Sequence, residues 1–136
     1  MREIKYRALG SATSEWVYGY YVVLDSGFEM VECIWELGAK RAIPIDRSTL
    51  GQFTGLADKN GVEIYEGDIV KACNRGVFGI FQVKWRSEGV PMYILSPAWQ
   101  KGEFWNLYNN GSDVDKGIEV IGNIYQHSHL LKENEK

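Results

Sequence analysis

This 136-residue chain has only two His and two Cys, and several of its carboxylates crowd one stretch, "TGLADKNGVEIYEGDIVKA", from Thr54 to Ala72. Glu63, Glu66 and Asp68 lie there. Two carboxylates divide general acid and general base work only when opposed surroundings separate their pKa values, and a metal needs ligands gathered from several segments. These three sit beside turns of one segment with no His near them in sequence, so turn chemistry is the preferred reading. A hydrolase using Glu66 and Asp68 is the least favoured function. His127 and His129 are two residues apart and could pinch a metal from one face of a strand, but no third ligand is nearby. "NNGSDVDKG" holds Asp113 and Asp115 in the spacing of a calcium loop, yet the twelfth position from Asp113 is Ile124, where that loop needs a bidentate Glu. Cys33 and Cys73 have neither a CxxC partner nor a paired His, so two reduced thiols are expected, at least one of them buried. Gly76-Val77-Phe78-Gly79 lacks the Lys and the following helix of a phosphate loop. No catalytic set, metal or cofactor is expected.

The remaining constellation is aromatic and basic. Lys84, Trp85 and Arg86 end one strand-like run, and Trp99, Lys101, Phe104, Trp105 and Tyr108 follow. Single-stranded nucleic acid is bound by such stacking rings and cations along small barrels, and protein interfaces are anchored by Trp and Tyr. A core of alternate aromatics flanked by cations is the plainer account. These eight residues are nevertheless the candidate binding surface.

Whatever the site, short strands must position it. Five Trp, eight Tyr, five Phe and fifteen Gly against three Pro favour pleated surfaces and tight turns over long helices. "REIKYRAL" alternates, with Ile4, Tyr6 and Ala8 on one face and Glu3, Lys5 and Arg7 on the other. "EWVYGYYVVL" is apolar on both faces, which predicts a central strand. Asp25-Ser26-Gly27 then offers a three-residue hairpin loop, with "FEMVECIW" from Phe28 to Trp35 returning. Residues 36–53 are expected to be a connection carrying one short extended piece at Ala42–Ile45, confined to an edge by Pro44. "GVFGIFQVKW" places Val77, Gly79, Phe81, Val83 and Trp85 on one side and passes from Phe78 and Ile80 to Gln82 and Lys84 on the other. "PMYIL", "GEFWNL" and "GIEVIGNIY" predict three more strands. Only "SHLLKENEK" has a helical look, and the tail after Leu131 should fray. The sum is a mainly β domain of short antiparallel strands, a small barrel or sandwich with little helix. It is expected to span 1–136, with a possible N-terminal β subdomain over 1–50, a small barrel over 51–130 and a frayed tail over 131–136.

In the quoted stretch, Asp58-Lys59-Asn60-Gly61 is a strong reverse turn and Glu66-Gly67-Asp68 a second corner. "STLGQFTGLADKNGVEIYEGDIVK", the opening "REIKYRA" and the closing "EVIGNIYQHSHLL" together resemble the YopX family, small proteins carried by bacterial phages and prophages. The match spans both ends and the middle in the right order. The signal is weaker at residues 16–35 and 86–116, Ala57 stands where a charged residue is common, and "HSH" replaces the usual Asn-Pro-Glu before the Leu pair. The resemblance implies a mostly β fold and no established biochemical activity. It makes Gly55, Asp58, Asn60, Gly61, Glu66, Gly67, Asp68, Gly122 and Asn123 signature residues with turn and packing roles.

A formal net charge of -3 argues against a surface that attracts phosphate throughout. No stretch has the length and apolarity of a signal peptide's core or of a membrane span, so a cytoplasmic protein of the bacterial host, away from the membrane, is expected. The expected function is that of a non-enzymatic phage or prophage accessory protein acting through a binding surface. Homo-oligomerisation is the expected partnership, with a phage or host protein as another and nucleic acid as the alternative.

Overall fold

The computed structural model describes residues 3–74, 77–86, 92–96, 105–106 and 118–132. The chain divides into two compact units, Met1–Gly55 and Leu56–Lys136. Among the described residues there are eleven strands: β1 (Tyr6–Leu9), β2 (Trp16–Asp25), β3 (Met30–Glu36), β4 (Arg41–Pro44), β5 (Gly51–Ala57), β6 (Glu63–Tyr65), β7 (Asp68–Asn74), β8 (Val77–Arg86), β9 (Met92–Ser96), β10 (Trp105–Asn106) and β11 (Ile118–Asn123). A 3-10 turn at Arg47–Thr49 and a one-turn helix α1 at His129–Lys132 complete the elements. The protein is mainly β, as its composition predicts. Strand orders β4-β3-β2-β1-β5-β6 and β10-β9-β8-β7-β11 define two antiparallel sheets, neither closing into a barrel among the described residues.

In the first unit, Ala8, Ile34 and Ile45 form a small core with Tyr6, Val17, Tyr21 and Leu50 packed on it. The Tyr6 and Tyr21 rings are tilted with centroids 6.3 Å apart. β4 is the edge strand its Pro44 requires, and Asp46 caps the 3-10 turn by accepting the Ser48 N–H at 3.1 Å. β2 and β3 reach well past their neighbours: β1 pairs only with Trp16–Gly19 of β2, and β4 only with Cys33–Glu36 of β3. The distal half of the hairpin is therefore a two-stranded ribbon. Gly19 permits its base, because a Cβ there would come within 1.9 Å of the Trp35 carbonyl oxygen.

Three sequence expectations are corrected here. Two of the three charges of "REIKYRAL" do not lie in water: Arg7 is 6% exposed with its guanidinium 4.3 Å over the Trp16 ring, and Lys5 sits 4.9 Å over Phe53, while Glu3 stays exposed. Ile4 is exposed instead. Period-two alternation gives two faces without saying which one is covered, and aromatics can accept cations. Next, the loop of the first hairpin takes four residues, with Ser26 N donating to the Glu29 carbonyl at 2.9 Å, so Phe28 belongs to the turn and β3 starts at Met30. Third, β5 occupies part of the expected connection. Its sequence, GQFTGLA, carries two glycines, one at φ 90°, and lacks the branched run that marks a strand.

In the second unit, alternate residues of β7, β8, β9 and β11 fill a core of Val70, Ala72, Phe81, Val83, Tyr93, Leu95 and Ile118, joined by Ile64 of β6. β8 alternates as its sequence predicts, with Phe81 and Val83 buried and Lys84 exposed.

Candidate functional site

Corner chemistry comes first, because the carboxylates of the Thr54–Ala72 stretch were the candidates for catalysis. Asp58 is 3% exposed. Its Oδ1 accepts the N–H groups of Asn60 at 2.8 Å and Val62 at 2.9 Å, and its Oδ2 accepts that of Val120 on β11 at 2.8 Å. Lys59 N donates to the Ile118 carbonyl at 3.0 Å, and the Asn60 amide reaches Glu119 at 3.4 Å. One carboxylate thus closes the turn into β6 and fastens it to a strand about sixty residues further on, an interaction stronger than a neutral hydrogen bond because the acceptor is ionised.

The second corner works in the same manner. Asp68 is buried and its Oδ2 accepts the Tyr65 N–H at 2.8 Å. Gly67 has φ 92°, donates to the Val83 carbonyl and accepts from Ile124 N, both at 2.9 Å, and a Cβ there would touch the Tyr125 ring at 3.1 Å. At the end of β11, a register shift lies between Val120 and Gly122. Asn123 Oδ1 then accepts from Tyr125 N and Gln126 N, while its own N–H donates to His127 Nδ1 at 3.2 Å. His127 Nδ1 thus serves this turn as an acceptor. The His127 and His129 rings are 6.4 Å apart, and among the described residues no group of three or more His, Cys, Asp and Glu could hold a metal ion. Signature residues from 58 to 68 and from 122 to 123 thereby meet around the β11 strand.

Of the aromatic and basic candidates, Trp99, Lys101, Phe104 and Tyr108 lie outside the described residues, and Arg86 and Trp105 are placed as strand residues of β8 and β10. Lys84 and Trp85 are consecutive in β8 and so project from opposite sides of the sheet. Trp85 stands edge-on to Tyr93, a core residue, at 4.9 Å, while Lys84 is exposed on the other side. These two cannot offer a base stack and a phosphate contact on one face.

Trp85 is 41% exposed, but among the described residues most of the large exposed apolar side chains gather elsewhere, on the β2–β3 hairpin. Phe28 at its tip is 100% exposed, Met30 64%, Tyr20 49% and Trp35 42%, with Tyr18, Val23, Leu24 and Leu37 also exposed. Tyr20 and Trp35 are direct cross-strand partners, as are Leu24 and Val31. The opposite side is polar at its rim: Glu32 accepts from Tyr21 Oη at 2.7 Å and from Arg47 at 3.0 Å, and Arg41 pairs with Glu36 at 3.0 Å. The phenol proton of Tyr21 is held above its usual range by its bond to Glu32, then by burial and the negative charge of Glu32, with Arg47 opposing. Burial raises the Cys33 thiol. Sequence reasoning missed this surface because an aromatic, β-branched strand in a sheet is normally covered on both faces. The available signal was that Trp16–Ala39 contains no Lys or Arg.

Comparison with known families matches residues 5–132 to the family described as "YopX protein". The chain belongs to the YopX family. Among solved structures, protein EF1440 from Enterococcus faecalis is similar to this YopX chain at a TM-score of 0.54 and 22% identity, over 96% of this chain and 99% of that one. At that identity the likeness is one of fold. No curated protein matches. Among the described residues, no helix is long and apolar enough to cross a membrane.

Proposed function

We infer that this YopX-family chain is a phage or prophage accessory protein that works without catalysis, as a protein-interaction or self-assembling module. The observation that carries this reading is the apolar surface of the β2–β3 hairpin, where Phe28 is fully exposed and Tyr20 and Trp35 are nearly half exposed. Contiguous exposed apolar patches of this kind mark interaction sites, and Trp and Tyr are the residues that most often anchor them. The buried carboxylates of the signature corners add to the reading from the other side, since their oxygens accept backbone N–H groups.

The test is recovery of the tagged protein from bacterial cells, wild type beside a variant with Tyr20, Phe28 and Trp35 all changed to Ser. Wild type is expected to emerge in a defined complex, with itself or with a partner protein, and the folded variant alone. A variant that keeps every association of the wild type would refute the reading.

A further inference from the structure

One side of the β2–β3–β4 sheet is uncharged where it is exposed. By strand alternation it carries Tyr18, Tyr20 and Leu24 from β2 and Trp35 from β3, while Glu32 and Glu36 project from the other side and bond to Arg47 and Arg41. No Asp, Glu, Lys or Arg of β2, β3 or β4 lies on this side. An isologous contact sets a patch against its own copy, so a charge on the patch meets its like, and an uncharged patch is free of that repulsion. The three strands thus offer no cation to the phosphates of nucleic acid or an anionic bilayer, and Arg7 of β1, which pairs with Tyr18 on this side, is buried over Trp16.

The area is adequate. A whole aromatic side chain offers ~150–250 Å², so Tyr18, Tyr20 and Trp35, with Leu24 and Leu37, present on the order of 450 Å² at their observed exposures, and Phe28 adds about 200 Å². Two such faces together offer about 900 Å², at the low end for an interface, and the two Phe28 tips would add about 400 Å² where they reach across it.

We propose that this face is a homotypic interface: two copies pack the uncharged sides of their β2–β3 hairpins together about a two-fold axis, with Tyr20 and Trp35 at the centre. The proposal rests on the interaction-module reading and names the partner as a second copy of this chain. Sheet faces packed in this way interleave side chains across about 10 Å.

Sedimentation of the full chain over ~1–100 µM tests it, these being concentrations at which a specific interface of this size associates. Wild type is expected to be a dimer that persists in 1 M NaCl. Trp35→Glu and Tyr20→Glu each place a carboxylate against its copy and are expected to weaken association at least ~100-fold. Val23→Glu, on the opposite side, is expected to leave the dimer intact. Circular dichroism and a thermal melt establish that each variant is folded, and Tyr20→Ser replaces any Glu variant that is not. A monomeric wild type overturns the proposal, as does a dimer indifferent to both face substitutions. A monomer that still retains a partner protein lost in the Tyr20, Phe28 and Trp35 triple variant overturns it while leaving the interaction reading in place. Absence of any association removes both.

Discussion

The signature corners of the second unit and the hairpin of the first invert the usual rule in opposite directions. Around Asp58, Asp68 and Asn123, polar side chains point inward and are buried because backbone donors meet them. On the hairpin, Tyr20, Phe28, Met30 and Trp35 point outward without cover. Residues bonded inward fix a chain path, and residues left outward leave a surface uncovered. The comparison separates the corners that carry the YopX signature from the exposed apolar hairpin.

The sharpest way to break that contrast is at Asp58. Asp58→Ala removes a buried carboxylate that accepts three part-buried backbone N–H groups and should destabilise by about 3 kcal/mol, measured by urea unfolding. If the loss were a few tenths of a kcal/mol, the corner would not be the inward-bonded region claimed. Gly67→Ala comes next, forcing a side chain into φ 92° and against Tyr125, with an expected cost of roughly 1–3 kcal/mol in the same assay.

A smaller effect is expected at Tyr21, on the polar rim of the first unit. Its folded pKa lies above the ordinary 10.0, so the folded state holds the phenol proton longer than the unfolded chain does. The stabilisation is full below that ordinary value and is lost as pH rises through the raised one. Melting curves of wild type and Tyr21→Phe should therefore differ more at neutral pH than at pH ~11. A difference that stays the same at pH ~11 would contradict the assigned bond to Glu32. Smallest of all, Phe28→Ser should leave stability within about 0.5 kcal/mol, because a fully exposed side chain has no cover to lose. A cost comparable to that of Asp58→Ala would dissolve the comparison altogether.

Legibility in the sequence followed the same divide. The corners could be read because Asp, Asn and Gly turns have local causes, and the edge role of β4 followed from Pro44 alone. β8 declared its sides through alternation. What escaped were matters of coverage. Nothing local tells that Arg7 lies against Trp16, or that β2 outruns β1 at Gly19 and leaves its far half uncovered. The bond from Asp58 to Val120 is equally invisible, since it depends on where a distant strand returns. The candidate pair Lys84 and Trp85 looked continuous in the sequence and is divided by the pleat.

That bond also sets an order of events in time. The two strands of the β2–β3 hairpin are near neighbours in the chain, and the small core of the first unit draws only on residues up to 50, so both can form as soon as those residues have left the ribosome. Asp58 has no such freedom: its second oxygen waits for Val120, and with it the fastening of β11 to the turn. Closure over so long a separation is slow, and domains form as their segments emerge. During synthesis the apolar hairpin is thus on display before the second unit is complete.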